Sequence, residues 1–187
     1  MGADFEQEVK LAFESVEAAR RAVTTAGGRL VVSRRLLRDA LFDTADRQLR
    51  QRGCGFRIRR DDGRTILTFK GPILPGVVKC REEIETTVAD AGRAEGIVLG
   101  LGFRRWFLAE KYREEYELAS ACIAIDETPV GVFVEIEADP VDIATAAHLL
   151  GRGAGDYRLE SYVQLYYKWC ESKGVAPGDM TFDRLEA

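Results

Sequence analysis

Glu6, Glu8 and Lys10 stand at alternate positions near the N-terminus, and Glu135 and Glu137 repeat the paired carboxylates far along the chain. In an extended strand, positions i, i+2 and i+4 share one face. The run Glu6-x-Glu8-x-Lys10 therefore sets two hard oxygen ligands and one ammonium in a row. Between the two acidic pairs the same spacing recurs with cations: Arg57 and Arg59, then Lys70, then Lys79 and Arg81, then Lys111 and Arg113. Glu83, Glu85, Glu115 and Asp126 continue those faces. Carboxylates suit Mg2+ or Mn2+, and the two acidic pairs hold enough oxygens for one or two ions. Lys and Arg then grip phosphate oxygens, Arg with a planar fork that contacts two at once. The chemistry these residue types allow is the capture of a phosphate-rich anion together with a divalent metal.

A single charged stripe is ordinarily the solvated face of a sheet. Recurrence argues otherwise, because apolar residues fill the intervening positions in strand after strand: Phe5, Val9, Phe56, Ile58, Leu67, Phe69, Ile123, Ile125, Val134 and Ile136 among them. If the sheet closes with its apolar face outward under helices, the charged face lines an interior. Uncompensated buried charge is prohibitively costly, so that interior must be hydrated or filled by a neutralising ligand.

The elements that would position these residues follow from periodicity. Phe5–Phe13 alternates as a strand, and Glu14–Ala26 reads as a helix with Ser15 as N-cap and Gly27-Gly28 as its stop. Arg35–Thr44 is extended. Phe56–Arg60 and Thr65–Lys70 flank Asp61-Asp62-Gly63-Arg64, a hairpin signal because Asp-Gly tolerates the turn's left-handed backbone. Lys79–Val88 is a further strand, Ala89–Leu101 a helix and Phe103–Leu118 a long strand. Ala121–Asp126 and Val130–Glu137 pair across Glu127-Thr128-Pro129. Pro140 opens a helix to Leu150, and about Ser161–Lys173 forms a last one with Tyr162, Leu165, Tyr166 and Trp169 on its apolar side. The tail from Gly174 carries little signal. The expected fold is α+β: an antiparallel sheet of about eight strands, or a barrel, with helices packed outside.

Composition narrows the function classes. The 187 residues, 46% apolar and 31% charged, suit one soluble globular domain over 1–187, with a core of about 4–173. The net charge of −4 argues against a general nucleic-acid binder. No membrane span or signal peptide is legible, and Met1-Gly2 makes a poor myristoylation site with Glu6 in place of Ser or Thr. Cys54, Cys80, Cys122 and Cys170 are scattered singly, as reduced thiols of a cytoplasmic protein would be. His148 is the only histidine and sits among Ala and Leu, which leaves a Ser-His-Asp triad without support. Trp106 and Trp169 read as packing residues, and Gly151–Gly155 lacks the Lys-Ser/Thr ending of a phosphate loop.

Seven segments in order carry a resemblance: EQEVK (6–10), LFDTADRQLRQRGCGFRIRR (41–60), LTFKGP (67–72), REEIE (81–85), EKYR (110–113), IAIDE (123–127) and GVFVEIE (131–137). Ser161-Tyr162 adds a pair near the last helix. Together they resemble the CYTH superfamily of triphosphate tunnel metalloenzymes, which includes class IV adenylyl cyclases and thiamine triphosphatases. The resemblance implies an eight-stranded antiparallel tunnel that binds a small-molecule triphosphate and divalent cations. By the same resemblance Glu6, Glu8, Glu135 and Glu137 are expected as metal ligands, and Lys10, Arg57, Arg59, Lys70, Lys111 and Arg113 as triphosphate ligands, with Arg81 a further contact. Asp126, Glu83 and Glu85 can each hold metal, orient water or pair with a cation, and Glu83 and Glu85 are the candidate catalytic bases.

Three activities fit such a tunnel. The main reading is hydrolysis of inorganic tripolyphosphate, thiamine triphosphate or a nucleoside triphosphate. Its rival is cyclisation of ATP to cyclic AMP and pyrophosphate, which needs an adenine pocket that no residue marks. A non-catalytic polyphosphate binder is a third, disfavoured because capture needs the cations more than the acidic pairs. A homodimer is compatible with the sequence.

Overall fold

In the computed structural model, which describes residues 5–185, strand alternation becomes a closed surface. Met1-Gly2 lies outside the described residues. The strands are β1 (Phe5–Phe13), β2 (Arg29–Asp43), β3 (Gly55–Asp61), β4 (Arg64–Lys70), β5 (Lys79–Val88), β6 (Arg104–Leu118), β7 (Ala121–Thr128) and β8 (Gly131–Glu137). They close as an antiparallel barrel in the order β1-β5-β4-β3-β2-β6-β7-β8. Closure joins the two ends of the strand series: β8 pairs with β1, which sets Glu8 opposite Glu137 and Lys10 opposite Glu135.

The helices are α1 (Val16–Thr25), α2 (Gln48–Gln51), α3 (Ala91–Gly100), α4 (Pro140–Leu149), α5 (Tyr162–Lys173) and α6 (Phe182–Leu185). Ser15 caps α1 by accepting from the Ala18 amide, and the Asp62-Gly63 turn takes the positive φ values of 45° and 80° its sequence asks for. Outward apolar residues of β1, β7 and β8 (Val9, Leu11, Ile123, Ile125, Val134, Ile136) bury against Ala19 and Val23 of α1 and Ile143, Ala146 and Ala147 of α4. A second outer patch joins Phe42 and Ile58 to Val98 of α3. With the apolar faces of these strands occupied by helices, their polar faces turn into the barrel.

Two expectations change. β2 begins at Arg29 rather than Arg35; its first half is irregular, with register shifts against β6 between Leu30 and Val32 and again before Arg35. The tail after Gly174 is part of the core. Met180 is 1% exposed and bonds the backbones of Leu108 and Glu110 on the edge of β6 that β7 leaves free. Arg158 does the same on β1 beyond the reach of β5, exchanging backbone bonds with Lys10. Neither contact has a periodic signature, because each is a single residue completing a distant strand.

Candidate active site

The inward positions follow from register. Glu6 faces Arg81 and Glu8 faces Lys79 across β1–β5, Lys70 faces Glu83 across β4–β5, and Arg113 faces Asp126 across β6–β7. All the candidate residues therefore share one interior. The cations are held by their neighbours: Lys10 ion-pairs with Glu8 at 2.8 Å and Glu135 at 3.1 Å. Lys111 reaches Asp126 at 2.7 Å. Arg113 forks onto both Asp126 oxygens at 2.7 and 2.6 Å and also contacts Glu135. Lys70 bridges Glu6 and Glu83, and Arg57 sits between Thr68, at 3.0 Å, and Glu85, at 2.9 Å. Buried Arg57 Nε has no hydrogen-bond partner.

Arg81 behaves differently from the other cations. Its guanidinium donates to the carbonyl oxygens of Gly71, at 2.8 Å from Nε, and Gly53, which ties the loops before β3 and after β4 together. Its place in the site is that of a brace. Asp43 acts similarly from below, its carboxylate accepting from the amides of Leu49 and Arg50 and so fixing the turn that delivers Arg57 and Arg59.

Four interior residues were not among the expected site residues. Asp39, flanked inward by Leu37 and Leu41, takes Arg59 in two bonds of 2.7 and 2.8 Å. Lys79 pairs with Glu8, and Thr68 donates to Glu85 at 2.5 Å. Lys79 stood in the alternating row with Arg81 and was given no role, whereas Asp39 is charged and strand-borne and a stricter count of alternation would have found it. Tyr162 was placed on the apolar side of its helix. Instead its hydroxyl donates to Asp126 at 2.6 Å and its ring faces the ammonium groups of Lys10 and Lys111 at 5.2 and 4.5 Å. Only the Ser161-Tyr162 pair pointed there. His148 lies exposed on α4, and Trp169 stacks on Tyr166.

Electrostatically the acids divide. Burial would raise Asp126, but Arg113 and Lys111 outweigh it and hold the carboxyl below its ordinary value. Glu135 is likewise held well below, by Lys111, Lys10 and Arg113 against burial. Burial, then Arg113, brings Lys111 down to about 8 despite its Asp126 partner, because the neighbouring arginines repel its charge. At Glu137 desolvation comes first and the carboxylates of Glu6, Glu8 and Glu135 next, and its pKa rises to about 7. Glu6 and Glu83 approach within hydrogen-bond reach: burial and the Glu6 carboxylate lift Glu83 to about 8, while the Glu83 bond and Lys70 overcome burial to bring Glu6 down to about 2.

No three His, Cys, Asp or Glu side chains among the described residues converge tightly enough, as they stand, to hold an ion. The donor chemistry nevertheless fits a divalent cation. Glu6, Glu8, Glu135 and Glu137 are all hard oxygen donors on adjoining strands. Glu6, Glu8 and Glu135 are paired with cations, whereas Glu137 forms no ion pair among the described residues. Asp126 fits less well, with both oxygens already engaged by Lys111, Arg113 and Tyr162.

Residues 4–151 match the CYTH domain family. A protein from Methanocaldococcus jannaschii is 33% identical over 113 residues, 60% of this chain; the chain spans 65% of that relative's length. Among solved structures, a protein from Vibrio parahaemolyticus superimposes with a TM-score of 0.74 at 19% identity, over 88% of this chain and 98% of that one. One from Hippeastrum, described as having a dominant triphosphatase activity, gives 0.65 at 17% identity over 92% and 97%. All three carry the name putative adenylate or adenylyl cyclase. No helix among the described residues is long and apolar enough to cross a membrane.

Proposed function

The chain belongs to the CYTH domain family, and on that premise we propose that it is a divalent-metal-dependent enzyme hydrolysing inorganic tripolyphosphate or an organic triphosphate such as thiamine triphosphate. One observation carries the reading: carboxylates of β1 and β8, among them Glu137 with no ion pair among the described residues, share a single interior with the cations Lys10, Lys111 and Arg113. Glu6, Glu8, Glu135 and Glu137 would hold Mg2+ or Mn2+. A bound ion would supply charge neutralisation at phosphate oxygens and acidity to the attacking water.

The chain's own residues do the rest. Lys10, Arg57, Arg59, Lys70, Lys79, Lys111 and Arg113 exchange their present carboxylate partners for phosphate oxygens and fix the chain in line. Asp126, with Tyr162, orients Lys111 and Arg113 toward it. Water oxygen bonds to the terminal phosphorus as the bond to the bridging oxygen breaks, and charge accumulates on the leaving diphosphate, where Lys and Arg stabilise it. Glu83 is the better-placed base of the two candidates. Its pKa near 8 matches proton transfer around neutrality, whereas Glu85 is held down by Thr68 and Arg57 against burial.

Cyclisation is the second reading, favoured by the name that the 33%-identical relative carries. In it the 3′-hydroxyl of ATP attacks the α-phosphorus and pyrophosphate leaves. A panel of ATP, thiamine triphosphate and tripolyphosphate with Mg2+ and Mn2+, with products identified, separates the two: ADP and phosphate mark hydrolysis, cyclic AMP the cyclase. Glu6→Gln and Glu137→Gln should each lower metal-dependent turnover by at least about 100-fold while the fold persists by circular dichroism. Full activity in either variant removes this site.

A further inference from the structure

Most arginines of this chain give their guanidinium to a carboxylate or a carbonyl oxygen, inside the tunnel and on its outer wall alike. Arg47, Arg50, Arg52, Arg104 and Arg105 are exposed and form no side-chain ion pair or hydrogen bond among the described residues. The fold gathers these five where β2 ends and β6 begins. Asp43 and Phe42 face Arg104 and Arg105 across the ladder. The Asp43 carboxylate also accepts from the Arg50 amide, which pins α2 beside that pair, and Arg47 and Arg52 flank α2. Leu41 faces Phe107 while Phe42 faces Arg105, so Trp106 is the extra residue of a bulge. The Arg50 guanidinium lies over its ring at 4.4 Å.

The two acids of this segment are occupied locally, Asp43 by the amides of Leu49 and Arg50 and Asp46 by Thr44 and Gln48. A concentration of positive charge therefore stands on a chain whose net charge is −4. Arg47 is held there at a conformational cost. Its φ of 61° is left-handed, a region where Gly, Asn or Asp sits more easily, and its side chain caps nothing. We propose that this patch, outside the tunnel and independent of its chemistry, is the docking surface for a short acidic segment of a partner protein. The Asp or Glu carboxylates of that segment take the free guanidiniums two oxygens at a time. Arg and Trp are also the residue types that concentrate binding energy at protein interfaces. Nucleic acid fits less well, because Trp106 lies under Arg50 and packs against Phe107 at 5.5 Å, which leaves no open platform for a base. A membrane or a duplex would extend past the patch, over a surface of opposite net charge to it.

The probe is a labelled glutamate decamer followed by fluorescence anisotropy, with a uridine decamer and phosphatidylserine vesicles run beside it. Arg104→Gln with Arg105→Gln should weaken binding of the glutamate decamer about tenfold. Arg21→Gln with Arg29→Gln removes the same charge from exposed positions on α1 and at the start of β2, and should leave the affinity within about twofold. Arg47→Gly relieves the left-handed backbone and should weaken the decamer about threefold without lowering the melting temperature. Equal losses in the two double variants, or no loss in either, overturn the proposal by making the attraction general. Absence of decamer binding up to about 1 mM overturns it outright. Tighter binding of the uridine decamer or of the vesicles, lost in Arg104→Gln with Arg105→Gln, overturns it in favour of a nucleic acid or a membrane.

Discussion

Asp126 and Glu137 are carboxylates on the inner face of adjacent strands, yet they differ in almost every neighbour. Asp126 is fully buried and receives Lys111, Arg113 and Tyr162, which hold it ionised. Glu137 stands at the end of β8 and forms no ion pair among the described residues, and desolvation, then the carboxylates of Glu6, Glu8 and Glu135, raises its pKa to about 7. The strand determines only that a side chain points inward. Which charge state it adopts depends on what the neighbouring strands bring alongside. The basic side is organised in advance of any ligand, whereas on the acidic side Glu137 has no cation of its own among the described residues.

The contrast can be broken most directly at Asp126. Asp126→Ala leaves Lys111 and Arg113 buried without their main partner and should cost about 3–5 kcal/mol in urea unfolding. A loss below about 1 kcal/mol would show that the basic side does not depend on it.

Metal binding tests the acidic side. Protons on Glu137, near pH 7, and on Glu83 beside Glu6, near pH 8, must leave as a cation binds. Mg2+ affinity by calorimetry should therefore fall at least about tenfold from pH 8 to pH 6. A pH-independent affinity would place the ion elsewhere.

Stability of the metal-free protein gives a smaller signal of definite sign. Glu137 has a folded pKa above the ordinary 4.5, so from 4.5 upward the unfolded chain loses this proton first. Stability contributed by the protonated form is full below 4.5 and is lost as pH rises through 7. Glu137→Gln should consequently raise the melting temperature at pH 8, leave it unchanged at pH 4, and show less effect at high salt because the site is exposed. A uniform shift at both pH values would contradict the crowding of carboxylates.

The smallest change is Tyr162→Phe, which keeps the ring facing the two lysines and removes one hydrogen bond to Asp126. It should cost about 1 kcal/mol in the same unfolding measurement. An effect as large as that of Asp126→Ala would make the hydroxyl, rather than the cations, the main partner of the carboxylate.

Much of this was legible along the chain. Strict alternation in Phe5–Phe13 marked β1, Asp62-Gly63 marked the β3–β4 turn, Ser15 marked the start of α1, and the recurrence of charged faces pointed to a closed interior. Asp39 escaped notice because its inward neighbours are leucines, and Tyr162 because a helical apolar stripe looks the same whether it covers a core or plugs a tunnel. Arg81 looked like the other inward cations, but its carbonyl partners lie in loops with no periodic pattern.

Local geometry explains the division. A strand's two faces and a turn's handedness are settled within a few residues, so side-chain order alone shows that Glu6, Glu8 and Lys10 share a face. The meeting of Glu8 with Glu137, the stitching of Met180 onto β6 and the closure of one end by α5 join residues separated by most of the chain. Those contacts come from packing apolar faces under helices until the barrel closes. Only then does it emerge which carboxylate lacks a cation.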